Sequence, residues 1–512
     1  MKGKKRLTIN IVAQMISFAV TIGVNFLLTP FIVEKLGTEA YGFIGLANNF
    51  VSYVQILTIA LNSMAGRFIA IEYLQGNLME AKKYYTSVFY ANIFLATIVG
   101  LVTFLGTLYI EMIVNIPVNL ICDVKLLFTL MMGNFMISLV FSVYGVATFI
   151  KNRLDYKAIL SVLGNVLRAI LLTVFFALLS PKLWYIGCTT VICTTFIGFF
   201  DYYYKTRLTP ELRTSTALYN NKFVFTIVKS GVWFSVSRLS NIIEQGFDLL
   251  LANLFIGATA MGHLSITKQI PVFILSLIGT ISSAFAPSLT ESYARNDKQS
   301  IRAEILASMK IIGFFSLIPL CFIFSFVDCF YSLWLPNEDS DYLYILTIVG
   351  ILYFPILLSL EGVQNLWPVY NKVKTYSLVS ISFSFLTFIT VLSGLYFFNE
   401  TYRIYYLVCI STAYNLVFVI FFIPLFAARC LEVQKSFFYL NIFKTLVSLL
   451  LIVLILLFVK NVVIVDSWFR LSCMIVLDIL LCVVLGSYFI LDKDDKVRIK
   501  TRLLPMFRKI TG

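Results

Sequence analysis

Long runs of apolar residues recur along the whole chain, separated by short polar segments. A helical run of about 20 apolar residues matches the thickness of the hydrocarbon core of a bilayer. Only elements that satisfy their own backbone hydrogen bonds cross that core, so the runs predict membrane-spanning helices. The fold class is therefore an all-α polytopic membrane protein. Its predicted spans, about fourteen, are 7–33, 41–71, 84–110, 124–150, 158–179, 184–204, 223–256, 263–293, 304–331, 342–370, 376–398, 404–427, 440–459 and 469–491.

Four of these spans carry a stripe of polar side chains along one helix face, as judged at about 100° per residue. A polar side chain that faces lipid without a partner is costly. The stripes are therefore expected to face other helices or a water-filled cavity. In the first, second, seventh and eighth spans they comprise Asn10, Gln14, Ser17, Thr21 and Asn25; Asn48, Ser52, Gln55 and Asn62; Ser230, Arg238, Asn241, Gln245 and Asp248; and Ser265, Lys268, Gln269, Ser276, Thr280 and Ser283.

The striped spans open two related halves of the chain. Residues 37–42 read GTEAYG, and residues 257–262 read GATAMG in the corresponding place of the second half. Each half has an even number of spans, so the repeat is parallel, with a pseudo-twofold axis along the membrane normal. The predicted organisation is an N-terminal six-helix lobe (1–204), a cytoplasmic linker (205–222), a C-terminal six-helix lobe (223–427), two peripheral transmembrane helices (428–491) and a basic cytoplasmic tail (492–512).

The distribution of basic residues sets the topology. The chain is 60% hydrophobic and 13% charged, with a net charge of +14. If the N-terminus is cytoplasmic, the outside loops hold only Lys35, Lys125, Lys182, Arg403 and Lys460 of the 40 Lys and Arg residues. The positive-inside rule then predicts that both termini are cytoplasmic. The basic excess reflects this topology and does not indicate a nucleic-acid partner.

The segment NFLLTPFIVEKLGTEAYGFIGL, Asn25 to Leu46, resembles the opening of bacterial polysaccharide flippases, including those of the O-antigen type. The basic N-terminus and the order of six, six and two spans are similar too. These flippases belong to the multidrug/oligosaccharidyl-lipid/polysaccharide (MOP) exporter superfamily. The resemblance implies a MATE-like fold, in which two lobes enclose a cavity lined chiefly by spans 1, 2, 7 and 8.

The resemblance also implies a cargo and a setting. The cargo would be an undecaprenyl-pyrophosphate-linked oligosaccharide repeat unit, moved to the outer leaflet of the bacterial cytoplasmic membrane by alternating access. The pathway would make O-antigen, capsule or exopolysaccharide, with a polysaccharide polymerase and glycosyltransferases as possible partners. No nucleotide-binding GxxxxGK[ST] motif is present, so an ion gradient or consumption of the product would supply the energy.

Basic and amide side chains inside the spans are candidates for binding such a cargo. A guanidinium offers a planar fork of donors that matches phosphate oxygens. Arg168 and Arg238 lie deep in their spans, whereas Arg67 and Lys229 lie near a cytoplasmic end and have snorkelling as the alternative. The full candidate set is Asn25, Gln55, Arg67, Arg168, Lys229, Arg238, Asn241, Gln245, Lys268 and Gln269.

Three acids within the spans, Glu244, Asp248 and Glu361, are candidates for coupling to a proton or a sodium ion. The alternative for each is a structural ion pair with a nearby cation, such as Arg238. Asp478, on the last predicted span, has no evident partner in the sequence.

Two other function classes stay open. A multidrug cation antiporter of the same fold needs net acid in its cavity, and spans 1, 2 and 8 hold no deeply placed acid. An enzyme needs a reactive constellation, yet His263 is the single histidine and the outer loops are short. The nine scattered cysteines indicate apolar packing residues. We therefore expect no catalytic residue, no metal and no cofactor.

Overall fold

The structure, a computed structural model, consists of α-helices joined by short connections. The chain divides into two compact units, Met1–Ser265 and Ile266–Gly512. The division into two six-helix lobes and two peripheral helices, made from the sequence, stays a prediction. The residues described are 2–492 and 495, of which the backbone alone is described at 2–8, 11, 233, 234, 237, 238, 240, 241, 243–245, 287, 294 and 401.

The first unit contains eight helices and most of a ninth. Its buried core lies where α2 and α3 pack together, around Leu61, Ile69, Tyr85 and Val88, and Ile227 of α8 joins it. The helices are α1 (Lys2–Leu36), α2 (Thr38–Leu74), α3 (Leu78–Leu108), α4 (Ile121–Phe141), α5 (Val146–Ile150), α6 (Leu154–Leu178), α7 (Trp184–Leu208), α8 (Asn221–Phe255) and α9 (Ala258–Thr267).

The two repeated sextets of the sequence meet in this unit. Gly37 and Gly257 each turn the chain between two helices with positive φ angles of 84° and 138°, which glycine adopts without strain. A Cβ atom on Gly42 would lie 2.8 Å from the backbone nitrogen of Gly262, and one on Gly262 would collide with the carbonyl oxygen of Thr38. Glycine is therefore required at both contact positions because the backbones approach so closely.

Helix α2 packs along α8. The amide of Asn49 and the hydroxyl of Tyr53 both donate to the carbonyl oxygen of Gly246, at 2.9 and 2.7 Å. The ring of Tyr53 stacks on Phe247 with centroids 5.2 Å apart. Near the other end of the interface, Gly231 lies directly against the carbonyl of Ala60. Association in a bilayer depends on such close packing and interhelical hydrogen bonds, because lipid tails are as apolar as the helices.

The second unit is arranged around α12. Buried residues of α12, among them Ile301, Ile305 and Met309, form its core with residues of α14, α18 and α19. The remaining helices are α10 (Gln269–Ser283), α11 (Ala286–Ala294), α12 (Lys298–Trp334), α13 (Ser340–Ile351), α14 (Phe354–Ser359), α15 (Leu366–Val369), α16 (Val373–Phe397), α17 (Glu400–Val417), α18 (Ile423–Leu431), α19 (Tyr439–Val462), α20 (Trp468–Leu481) and α21 (Ser487–Phe489).

Two ion pairs tie α12 to later segments of the second unit. Near its C-terminal end, the ammonium of Lys460 donates to the Asp328 carboxylate at 2.6 Å and to the carbonyl of Ser325 at 3.0 Å. In its N-terminal half, Lys310 contacts Asp492 and, at 3.2 Å, Asp495. The hydrogen bond from Lys310 holds the pKa of Asp492 below its usual range.

The predicted membrane fold is confirmed. Within the described residues, twelve helices are long and apolar enough to cross a membrane. Two shorter apolar helices, Gly246–Phe255 and Ser340–Ile351, overlap the seventh and tenth predicted spans, so a count of fourteen is compatible with the structure. The tenth predicted span is interrupted: a 3₁₀ helix, Glu361–Asn365, lies between α14 and α15.

The close packing of α2 on α8 gives a stability prediction. In Gly231→Ala, the new methyl group meets the Ala60 carbonyl, which is backbone and moves only if the helices separate. We expect a cost of roughly 1–3 kcal/mol, as for other overpacked sites. The midpoint of thermal unfolding of the purified protein in detergent measures it. Gly23→Ala on α1 is the matched control, because a Cβ there has no neighbour within 4 Å. Equal midpoints for the two variants would contradict the tight packing.

Candidate functional site

A polar pocket lies within the first unit, between α1, α6 and α7. Its volume is about 600 Å³, within the usual range of small-molecule sites. Hydroxyl and amide groups predominate among its polar lining residues, with two cations and no carboxylate. The polar lining comprises Gln14, Ser17 and Thr21 of α1; Lys157, Ser161, Asn165 and Arg168 of α6; and Thr190 and Thr194 of α7.

The polar residues of α6 form a ladder along one face of the helix. Lys157, Ser161, Asn165 and Arg168 follow one another at intervals of four, four and three residues, which keeps them on the same side. At about 1.5 Å of rise per residue, Arg168 lies roughly 16 Å deeper along the helix than Lys157. The pocket therefore has one cation near the start of α6 and a second deep inside the span.

The guanidinium of Arg168 is only partly satisfied. Its Nη2 donates to the Oδ1 atom of Asn25 at 3.3 Å. Its Nε is buried and makes no hydrogen bond, and no carboxylate among the described residues forms an ion pair with it. A buried donor without a partner costs about 1–3 kcal/mol, and more when it is charged. The guanidinium therefore keeps a hydrogen-bond donor available for an acceptor on a ligand.

The polar stripe of α1 faces α6 inside the first unit. The Asn10 amide donates to Asn152 Oδ1 at 2.8 Å, just before α6 begins, and its own Oδ1 accepts from the backbone of Asp155. Further along, the Asn165 amide donates to the Thr21 hydroxyl at 2.9 Å. The stripe was expected to face other helices or a cavity. Here it does both, because Gln14 and Ser17 line the pocket between these hydrogen bonds.

The other predicted cargo residues fall into three groups. Gln55, Arg67 and Lys229 are exposed on α2 and α8. Lys268 and Gln269 are half-buried and have contacts of their own. The side chains of Arg238, Asn241, Gln245 and Glu244 lie outside the described residues. Of the predicted set, the structure thus brings Asn25 and Arg168 together.

Of the predicted coupling acids, Glu361 has the most distinctive setting. It begins the 3₁₀ segment that interrupts the tenth predicted span, and such breaks often occur at functional positions. Its carboxylate accepts a hydrogen bond from the Gln364 amide at 2.7 Å, while its backbone carbonyl accepts from the Ser282 hydroxyl. No cation of the described residues pairs with this carboxylate. Asp248 is half-buried on α8 and has contacts of its own.

Comparison with known proteins identifies the family. A family model described as "Polysaccharide biosynthesis protein" matches residues 5–293, which is more than half of the chain and includes the whole pocket. The chain belongs to the polysaccharide biosynthesis protein family. It is also 25% identical over 476 residues to the uncharacterized membrane protein EpsK of Bacillus subtilis (strain 168), a match that covers 90% of this chain and 91% of that protein.

Solved structures show the same fold. The lipid II flippase MurJ in an inward closed conformation matches with a TM-score of 0.66 and 12% identity, over 94% of this chain and 98% of that chain. An inward-facing MATE multidrug resistance transporter of the MOP superfamily matches with a TM-score of 0.64 and 14% identity, over 83% and 98%. The predicted resemblance to the MOP superfamily is thus confirmed. The chain thus shares its fold with a lipid II flippase and with a multidrug resistance transporter.

Sequence reasoning singled out Arg168 but missed the rest of the α6 ladder and the α7 wall. The available signal was the recurrence of polar residues at Lys157, Ser161, Asn165 and Arg168 within one span. This signal is weaker than the polar stripes of the first two spans in each half, which extend over more of the helix. Thr190 and Thr194 are four residues apart on α7 and give a weaker signal of the same kind.

The pocket predicts a difference in reactivity along α6. In a cysteine-free background, Ser161→Cys should react with a charged, membrane-impermeant thiol reagent, because the thiol lies in a polar space where it can ionise. Ile159→Cys is the control: the position is on the same helix, half exposed, on its apolar outer face. Mass spectrometry of the labelled protein measures the rates. Equal rates at the two positions would show that the pocket does not admit water.

Proposed function

We propose that this protein is a flippase that moves undecaprenyl-pyrophosphate-linked oligosaccharide repeat units across the bacterial cytoplasmic membrane by alternating access. The units would serve surface polysaccharide biosynthesis, as O-antigen, capsule or exopolysaccharide. The observation that carries the proposal is the half-buried Arg168, whose buried Nε has no hydrogen-bond partner among the described residues, in a polar pocket lined by no carboxylate. The polysaccharide biosynthesis family supports it, and the fold shared with MurJ is in keeping with it.

The chemistry of the pocket suits an anionic, hydroxyl-rich head group. A guanidinium binds phosphate oxygens through two parallel hydrogen bonds. Among the described residues, the neutral amide of Asn25 is the one hydrogen-bond partner of Arg168, so a diphosphate would find free donors there. The hydroxyl and amide groups of Ser161, Asn165 and Thr194 can exchange hydrogen bonds with sugar hydroxyls.

The order of the two cations fits entry from the cytoplasm. With both termini cytoplasmic, as the distribution of basic residues predicts, α6 begins on the cytoplasmic side, and Lys157 lies near that end. An exposed ammonium there would attract the negatively charged head group toward the pocket. Arg168, deeper in the span, would hold it in a setting where charge–charge attraction is stronger because water is scarce.

The remaining candidates stay part of the proposal. Gln55, Arg67, Lys229, Lys268 and Gln269 would line the path of the cargo together with Arg238, Asn241 and Gln245. Glu244, Asp248 and Glu361 would couple transport to a proton or sodium ion gradient. Polymerase and glycosyltransferases of the same pathway would act as partners. The competing function, a MATE-like multidrug or cation antiporter, is not favoured here because the pocket offers a cationic cargo no carboxylate.

The test is Arg168→Ala in a strain whose polysaccharide export depends on this protein. Export per molecule of membrane-inserted protein should fall by about 10- to 100-fold, which corresponds to the loss of a charged hydrogen bond worth roughly 1.5–3 kcal/mol. Arg168→Lys should restore part of it, because the charge survives but the planar fork does not. Arg470→Ala is the matched control, since Arg470 is exposed and pairs with Asp466 at 2.8 Å.

A structural role for Arg168 gives a different result. In that case Arg168→Ala lowers the amount of inserted protein while each molecule exports normally. Normal export per molecule, or an equal loss in Arg470→Ala, would refute cargo binding at this site. The same assay applies to Arg238→Ala, alone and combined with Glu244→Gln or Asp248→Asn. Full rescue in a double variant would make Arg238 a structural partner of that acid.

A further inference from the structure

Asp478 is a buried carboxylate that the transport pathway does not explain. It lies on α20 in the second unit with no exposed surface. One carboxylate oxygen accepts a weak hydrogen bond from the Cys482 thiol at 3.3 Å, and the other has no hydrogen-bond partner in the described part of the chain. No described cation pairs with it. An isolated charge in such a place is costly, so Asp478 must carry a proton or neutralise a bound cation.

Two thiols converge on this carboxylate. Cys482 follows Asp478 by four residues and lies on the same helix face. Cys321 reaches the same point from α12. All three residues are fully buried, and their potential ligand atoms lie within 4.8 Å of one another. Zinc–sulfur bonds of about 2.3 Å place two sulfur ligands roughly 3.8 Å apart, so a small contraction would complete the site.

We propose that Cys321, Asp478 and Cys482 bind one divalent, thiophilic cation of the zinc class. Two sulfur ligands select such an ion over magnesium or calcium, which prefer all-oxygen sites. Structural zinc sites are four-coordinate, so a water bound with the ion would complete the tetrahedron formed with these three protein ligands. Binding releases the protons of the coordinating thiols, and the charge of the cation balances two of the three acidic groups in the apolar interior.

The position of the cluster indicates a structural role, in which the bound ion holds neighbouring helices together. Cys482 opens a π-helical turn, Cys482–Gly486, that rests on α12: a Cβ on Gly486 would contact Leu317 and Phe314. A bound ion would tie α20 and this turn to α12 at the depth where Cys321 lies. Because none of the three ligands is exposed, the ion would enter before the helices close, as the protein folds.

The full-length protein tests the proposal. It is expressed in medium supplemented with zinc and purified in detergent without chelator, and its metal content is measured by mass spectrometry. We expect about one zinc ion per chain, falling at least roughly tenfold in Cys321→Ser and Cys482→Ser. Asp478→Asn should reduce the content as well. Cys329→Ser on α12 and Cys473→Ser on α20 are matched controls that should keep the metal, because neither residue belongs to the cluster.

Wild-type protein grown with cobalt provides a readout that needs no variant to fold. Thiolate ligation gives Co²⁺ an intense sulfur-to-metal charge-transfer band, which should be present in the wild type and in both control variants. Absence of that band in the wild type would overturn the proposal. So would zinc contents that are equal in the cluster and control variants. A disulfide between Cys321 and Cys482, detected as the loss of two hydrogens in unreduced protein, would also overturn it.

Discussion

Amide side chains hold α1 against α6, and the pocket exists because of that pairing. Asn10, Asn165 and Asn25 each form hydrogen bonds across it, the first near the start of α6, the second to Thr21 and the third to Arg168. Lipid offers no partner to such groups, so they fasten the two helices at fixed heights. Where the amides leave a gap, Gln14 and Ser17 face Ser161 and α7 across open space. The same pairing that stabilises the first unit therefore frames its binding surface.

Because lipid offers no partner to a charged group, the charges of the second unit can be divided into those that are paired within the protein and those that are not. Lys460 and Asp328 neutralise each other, and the Lys460 ammonium also donates to the carbonyl of Ser325, so this pair needs no explanation other than stability. Lys310 is satisfied in a similar way by Asp492 and Asp495. Within the described part of the chain, Asp478 has only the hydrogen bond from the Cys482 thiol. A membrane interior makes this contrast informative, because an unmet carboxylate there is far more costly than at a wetted surface.

The periodicity of the polar residues predicted which helix face they occupy but not which residues they contact. The polar stripe of α1 was evident from the sequence, and so was the depth of Arg168. That Arg168 would meet Asn25 could not be read from either, because the two lie on helices 143 residues apart in sequence. The repeated glycine sextets indicated two related halves, yet nothing in them showed that the two copies touch. Cys321 and Cys482 are likewise distant in sequence, and without a short motif their convergence on Asp478 depends wholly on packing.

Release of a cargo demands that its binding be weak in one state. A buried arginine with a strong anionic partner of its own would not exchange that partner for a diphosphate, and one with no partner at all would hold the diphosphate too tightly. The strength of the Asn25 contact is intermediate between these two cases, since Asn25 offers Arg168 a single neutral acceptor at 3.3 Å. A ligand shifts a conformational equilibrium only through a difference in affinity between the states. If Arg168 binds the head group as proposed, a change in the distance between α1 and α6 would alter that affinity directly. The packing of α1 against α6, which shapes the pocket, would then also determine when the cargo is released.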